Sequence, residues 1–167
     1  MEAAGLRPAI SAAVMEKDFW VCWTLHRLFE VLRFRPQLIF KGGTSLSKTY
    51  NAIDRFSEDV DLSLSRRDLG FVDDRDPEQS GISKTEAKRR LDALVAECRR
   101  VIRNRLLPSL CADFATVLGS EGWTVELDAD DPHTVLFAYP ASGMDYGWGT
   151  YIPRTIRLEM GARSDDW

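Results

Sequence analysis

The sequence predicts an α+β domain in which helices pack on one mixed β-sheet. Two long stretches have apolar residues at helical spacing, and five short runs are apolar or alternate as strands do. A chain of 167 residues is long enough for one domain with a substantial core. Its 44% hydrophobic and 29% charged residues are typical of a soluble globular protein.

The first third of the chain predicts a helix, a strand and a second helix. Ser11 to Leu32 has helical periodicity without Pro or Gly, and Gln37 to Phe40 is a short apolar run typical of a buried strand. That strand leads directly into two glycines. Residues 44–53 then predict a helix whose first turn is capped by a hydroxyl side chain.

The next strand is predicted to carry two acidic side chains on one face. In "EDVDLSL", Val60 and Leu62 alternate with Asp59 and Asp61, and this period of two is typical of a half-buried strand. Residues 65–81 are polar and rich in turn formers, so we expect a mobile surface loop there.

A second long helix is predicted from Ser83. "SKTE" has the form of a capping box with Ser83 as N-cap, and the helix is expected to run to about Leu107 and to stop at Pro108. Its basic residues favour a solvated face over a contact surface for RNA or phosphate, although the second interpretation stays open. These residues are Lys84, Lys88, Arg89, Arg90, Arg99, Arg100, Arg103 and Arg105.

The last third predicts a hairpin and a further strand. "WTVELD" and "HTVLFAYP" flank the turn-like "ADDP", and "RTIRLEMGAR" alternates as a strand does. That alternation puts Glu159 on a polar face beside Arg157, which is compatible with a catalytic role or with a plain surface ion pair.

Composition and cysteine spacing narrow the functional classes. The net charge of -4 gives no overall attraction to nucleic acid. Cys22, Cys98 and Cys111 have no C-x-x-C spacing, which argues against a disulfide framework and a zinc knuckle. No apolar run approaches the roughly 20 residues that cross a bilayer, and the N-terminus lacks the pattern of a secretory signal. We therefore expect a cytoplasmic protein without membrane contact.

The glycine turn and the paired carboxylates together indicate a metal-bound nucleoside triphosphate. Asp59 and Asp61 would repel each other unless a divalent cation lies between them, and carboxylate oxygens suit Mg²⁺ or Mn²⁺. Gly42 and Gly43 let the backbone approach a phosphate closely, where the start of a helix donates hydrogen bonds.

Three competing motifs fit less well. "GGTSLSKT" resembles a P-loop, with Lys48 at the phosphates, but Ser47 stands where the second glycine belongs. Asp59 to Ser63 begins like an EF-hand loop, but Leu64 and Gly70 replace its glycine and its glutamate. Neither histidine lies near a cysteine cluster, so zinc catalysis has no ligand set.

These residues resemble a known family. The strings "FKGGTSLSKTY" and "RFSEDVDL" are similar to the signature of the polymerase-β-like nucleotidyltransferase fold, and in particular to its AbiEii/AbiGii toxin branch. "EKDFWVCWTL" and "PRTIRLEMGAR" also resemble that branch. The resemblance implies a polymerase-β-like core and a single domain over residues 1–167 that lacks the C-terminal helical region of the family.

The resemblance also implies a role for each motif residue. Asp59, Asp61 and Glu159 would be the catalytic carboxylates that bind Mg²⁺ or Mn²⁺. The residues that would hold the nucleotide are Gly42, Gly43, Thr44, Ser45 and Lys48.

The implied reaction is metal-dependent transfer of a nucleoside monophosphate from an NTP to an acceptor hydroxyl, with RNA such as a tRNA as the acceptor. The protein would then be the toxin of a toxin–antitoxin pair in abortive infection, a form of phage defence, with a cognate antitoxin as partner. The alternative is a shortened, non-catalytic module that binds nucleotide, RNA or a protein.

Overall fold

A computed structural model describes residues 12–41, 59–143 and 153–162 of the chain. Its strands are β1 (Leu38–Lys41), β2 (Asp59–Leu64), β3 (Thr124–Leu127), β4 (Thr134–Ala138) and β5 (Thr155–Gly161). They form one sheet in the order β1-β2-β5-β4-β3. β2 and β5 run parallel, whereas the other neighbouring pairs are antiparallel. This mixed sheet with its helices confirms the predicted α+β class.

The helices form two long helical paths. The first is α1 (Ala12–His26) with a π-helical extension, Arg27–Val31. The second is α2 (Lys84–Val101), a π-helical segment, Ile102–Leu106, and α3 (Leu107–Leu118). Among the described residues, no helix has the length and apolar character to cross a membrane.

The helix stop predicted at Pro108 is wrong. The chain passes from the π-helical segment directly into α3, and Pro108 lies in the first turn of that helix. Proline is tolerated there because the change from π-helical to α-helical hydrogen bonding leaves backbone N–H groups without an intrahelical acceptor, and proline has no N–H to satisfy. The helix ends instead at Gly119, which adopts a φ of 78° that favours glycine.

The predicted start of the second long helix is confirmed. The Ser83 Oγ accepts a hydrogen bond of 3.2 Å from the backbone N–H of Glu86. The Glu86 carboxylate in turn accepts hydrogen bonds from Arg89 and Arg90, which lower its pKa to about 2. Half of the capping box therefore also serves as the counter-ion for two of the basic side chains of α2.

The hydrophobic core lies against one face of the sheet. Phe137 of β4 is fully buried and forms ring contacts with Trp20 and Trp23 of α1, with Phe114 of α3, and with Tyr139. Alternate residues of β2 and β5 point to the same core, as the predicted period of two requires. The opposite face of those strands is left for polar side chains.

The loop over residues 65–81 is more firmly anchored than a mobile surface loop. Leu69 and Phe71 are buried in the core, and Arg75 lies over the Phe71 ring at 4.2 Å. Arg66 forms an ion pair of 3.0 Å with Glu78 within the same loop. The polar composition predicted exposure correctly but gave no weight to these two apolar anchors.

Replacing Phe137 with Ala should lower the free energy of unfolding by about 3–5 kcal/mol, because the change leaves a cavity among four other aromatic rings. Val117→Ala in α3 is the matched control, since Val117 is 52% exposed and its truncation should cost less than about 0.5 kcal/mol. Urea unfolding of the three proteins measures both effects. Equal losses in the two variants would contradict this assignment of the core.

Candidate active site

The parallel pairing of β2 and β5 brings the predicted carboxylates together on one face of the sheet. Asp61 lies opposite Glu159 in the register, and Asp59 lies opposite Arg157. Val60 and Leu158, which alternate with them, are fully buried on the other face. The two parts of the predicted carboxylate set, far apart in the sequence, are therefore neighbours on adjacent strands.

Arg157 lies among these acidic groups. Its Nε is 3.7 Å from Asp59 Oδ1 and 3.5 Å from Glu159 Oε1, and its Nη1 donates to Asp128 Oδ2 at 2.9 Å. The guanidinium thus partly balances three carboxylates at once. The alternation of this strand predicted Arg157 beside Glu159 but not its contact with Asp128.

Asp128 is a fixed anion at the end of β3. The backbone N–H of Asp130 donates to its Oδ1 at 2.9 Å, and this bond, ahead of the contribution of Arg157, holds the pKa of Asp128 below its ordinary value against the effect of burial. The bond closes an Asx turn in the "ADDP" segment. That turn was the available sequence signal, but nothing in it pointed to the site.

Asp61 has the opposite electrostatic character. Burial raises its pKa above the ordinary value, and the negative charge of Asp59 raises it further. Lys41, the last residue of β1, lies opposite Asp61 in the antiparallel register. Because the ionised form of Asp61 is unfavourable here, a nearby positive charge would stabilise it, and a bound cation would supply that charge.

The carboxylate oxygens of the site suit a hard divalent cation, but in this structure they do not form a group ready to bind one. Asp59, Asp61 and Glu159 supply carboxylate oxygens from one sheet face, the ligand type that Mg²⁺ and Mn²⁺ prefer. Within the described ranges, no three His, Cys, Asp or Glu side chains form a group ready to hold a metal ion. Arg157 lies between Asp59 and Glu159, so binding would require its side chain to move aside.

The predicted nucleotide-binding residues lie outside the part of the chain that the structure describes. These residues are Gly42, Gly43, Thr44, Ser45 and Lys48. The structure does place the preceding residue, Lys41, beside Asp61.

A cavity of about 710 Å³ opens next to the carboxylates. Lys41, Asp61 and Glu159 line one side of it, and residues of α2 line another. The cavity has no signature in the sequence, because residues from separate parts of the chain form it.

The basic side chains of α2 and of the π-helical segment that follows it are mostly engaged with neighbouring groups. Arg100 bonds Glu97 on the same helix, Lys88 bonds Asp92, and Arg105 donates to a backbone carbonyl. These contacts favour the solvated-face interpretation for most of the helix. Arg99 differs, because it lines the cavity.

The three cysteines all lie in the described part of the chain, where Cys22 is exposed, Cys111 is partly buried and Cys98 is buried. Cys98 is buried, and this burial raises its pKa to about 11, so its thiol is neutral and a poor nucleophile. The described part of the site therefore offers carboxylates, the guanidinium groups of Arg157 and Arg99, and the ammonium group of Lys41 as charged groups.

The chain matches a known protein family over most of its length. A family model described as "Nucleotidyl transferase AbiEii toxin, Type IV TA system" matches residues 23–165, which include β1, β2 and β5. No curated protein and no solved structure matches the chain.

Asp61→Asn should stabilise the metal-free protein at neutral pH. The folded state raises the pKa of Asp61, so the wild-type protein loses stability as pH rises from the ordinary aspartate pKa of about 3.9 through the raised value. Below that window Asp61 is protonated in both folded and unfolded states, and the advantage of the variant should vanish.

Urea unfolding in EDTA at several pH values measures this difference. Asp74→Asn, in the exposed turn before α2, is the control that removes one carboxylate elsewhere. An advantage of Asp61→Asn that grows toward acid pH would contradict the prediction.

Proposed function

The chain belongs to the AbiEii nucleotidyltransferase toxin family, and on that premise we propose that it transfers a nucleoside monophosphate from an NTP to an RNA hydroxyl. The observation that carries the proposal is the register that puts Asp61 opposite Glu159 beside an open cavity. This arrangement supports a site where phosphate charge is balanced and a hydroxyl is activated.

Asp59, Asp61 and Glu159 are the residues that would hold Mg²⁺ or Mn²⁺ in this proposal. Such a cation, when bound, makes an acceptor hydroxyl easier to deprotonate and offsets the charge of the phosphates. The raised pKa of Asp61 supports this role, because a carboxylate that is penalised for its charge gains most from a cation.

The phosphate end of the nucleotide lies, in this proposal, where β1 ends. Lys41 lies opposite Asp61 in the strand register and lines the same cavity, and the two glycines follow directly in the sequence. Gly42, Gly43, Thr44 and Ser45 would hold the triphosphate, with Lys48 helping to neutralise it, as the family resemblance implies. Catalysis would then come largely from positioning and charge neutralisation.

The biological role follows from the family. A type IV toxin–antitoxin system implies an antitoxin as partner. We infer that the protein acts as the toxin in phage defence, that its acceptor is a cellular RNA such as a tRNA, and that it acts in the cytoplasm, where such RNA is found.

A non-catalytic binding module is the second candidate, and one observation favours it. Among the described residues, the three carboxylates do not form a metal-binding group, and Arg157 lies between two of them. A domain that binds nucleotide without turnover would leave this arrangement intact.

Asp61→Asn should lower nucleotidyl transfer at least about 100-fold. Changes to groups that only support metal ligands already cost 10–100-fold, so the loss of a ligand should cost more. The assay follows α-labelled NTP incorporation into cellular RNA and pyrophosphate release in Mg²⁺, with Asp74→Asn as the control that should keep wild-type activity.

The products separate the candidates. Transfer that persists in Asp61→Asn would overturn the assigned role of this residue. Nucleotide binding without transfer by the wild-type protein would support the binding module, and release of γ-phosphate would point to P-loop chemistry instead.

Arg157→Gln should tighten Mn²⁺ binding by at least roughly fivefold. The change removes a positive charge that competes with the cation, and about 1 kcal/mol is the Coulomb energy of two unit charges 4 Å apart in water. Calorimetric titration of Mn²⁺ measures the effect. Arg154→Gln is a matched control, because it removes the same charge from an exposed position just before β5. Weaker binding in Arg157→Gln than in this control would show that Arg157 orients the carboxylates more than it competes for them.

A further inference from the structure

The cavity beside the carboxylates has the size and composition of a small-molecule site. Its volume of about 710 Å³ lies within the range of roughly 300–1,000 Å³ that is usual for ligand pockets. Asp61 and Glu159 line it at one end, and it continues past them along β2 and β5. A ligand held at the carboxylates would therefore have room to extend along the strands.

The walls of the cavity are mainly apolar. Leu94, Val95 and Cys98 line it from α2, and Met160 and Ala162 line it at the end of β5. Because Cys98 carries a neutral, buried thiol, it contributes an apolar surface and no charge. Such walls suit a flat, uncharged ring better than a second phosphate.

The hydroxyl of Ser63 is a polar group in this wall. Ser63 is 2% exposed and lines the cavity, and within the described residues its Oγ makes no hydrogen bond. Buried hydroxyl groups are usually hydrogen-bonded, so an exception in a cavity wall indicates a bond that a ligand completes. A hydroxyl can donate and accept, so it can serve the polar edge of a ring.

The residue opposite Ser63 is a glycine, which leaves the space beside the Ser63 hydroxyl open. Gly161 pairs with Ser63 in the parallel register, and a Cβ added to it would meet no atom within 4 Å. Any larger residue would place its side chain in the cavity.

Arg99 supplies hydrogen-bond donors at the same cavity. Its Nε donates to His133 Nε2 at 2.9 Å, and both residues line the cavity. Since this bond uses only the Nε, the planar end of the guanidinium remains for a polar or aromatic ligand.

We propose that this cavity binds the nucleobase of the donor nucleoside triphosphate through Ser63, Gly161 and Arg99. Strand geometry sets the spacing, because Ser63 lies two residues beyond Asp61, about 7 Å along β2. The ribose of a nucleotide whose α-phosphate lies at Asp61 spans this interval. The inference rests on the proposed function, because that function places the phosphate at Asp61 and Glu159.

The test compares the binding of nucleotides with that of a ligand that lacks a base. Calorimetry in Mg²⁺ measures the affinity of ATP, GTP, CTP, UTP and inorganic tripolyphosphate for the wild-type protein, Ser63→Ala and Gly161→Val. The wild-type protein should bind at least one nucleotide more tightly than tripolyphosphate. Ser63→Ala should weaken that nucleotide roughly 3- to 10-fold, the effect of one hydrogen bond, and leave tripolyphosphate within twofold.

Gly161→Val tests the same cavity by filling it. The added side chain should weaken the preferred nucleotide at least about 10-fold, again without an effect on tripolyphosphate. Valine suits a strand, and the open space at Gly161 means that the variant should fold.

Two control variants match these changes. Ser65→Ala removes another buried serine, whose Oγ accepts a bond of 3.2 Å from the backbone N–H of Asp68. Ala138→Val adds bulk on β4, away from the cavity. Both should leave the preference for the nucleotide over tripolyphosphate unchanged.

Several results would overturn the inference. One is an unchanged nucleotide preference in Gly161→Val, and another is an equal loss of nucleotide and tripolyphosphate affinity. A wild-type protein that binds no nucleotide more tightly than tripolyphosphate would also overturn it. So would variants that weaken the binding of an RNA oligonucleotide but not of the NTP, because the cavity would then take the acceptor.

The outcomes for this inference and for the proposed function are distinguishable. Base-dependent binding that the two variants remove, without any nucleotidyl transfer, would support the cavity assignment and reject the transferase. If the Gly161→Val protein transfers nucleotides and keeps the wild-type nucleotide preference, the transferase is supported and the cavity assignment is rejected.

Discussion

The parallel register of β2 and β5 is the constraint on which the candidate site depends. It sets Asp61 against Glu159 and Asp59 against Arg157, while Val60 and Leu158 hold the register from the buried face. A slip of one residue would bury a carboxylate and expose a core side chain, so the hydrophobic core fixes the pairing. The energy that orders the site therefore comes largely from apolar side chains that take no part in its chemistry.

The charges of the site are balanced from a different part of the sheet. Burial and a neighbouring aspartate make the ionised form of Asp61 unfavourable, whereas a backbone hydrogen bond keeps Asp128 ionised. Arg157 contacts Asp128 and also lies near Asp59 and Glu159, so a turn at the end of β3 helps to set the field around the carboxylates. A change in that turn would thus act on the site without touching any residue of the motif.

Local sequence patterns predicted the helices and strands well, but they did not predict which of these elements contact each other in the fold. Period-two alternation located β2 and β5, and the capping box located Ser83, because these signals depend only on neighbouring residues. The helix stop predicted at Pro108 was wrong, because proline is also compatible with the first turn of a helix, which is where Pro108 lies in α3. The cavity and the contact of Arg157 with Asp128 could not be predicted either, because each joins residues from distant parts of the chain. The role expected for Glu159 rests on a family resemblance, and only the sheet register showed that this residue lies beside Asp61.

The distance in sequence between Asp61 and Glu159 has a consequence for how the protein is made. The two residues are 98 positions apart and meet only through a strand pairing that closes over α2, α3 and the hairpin of β3 and β4. Such long-range pairing forms late, after the local helices and turns. A growing chain on the ribosome cannot join these two carboxylates until β5 (Thr155–Gly161) has emerged, so any activity of the site begins only after α2, α3 and the hairpin have been synthesised.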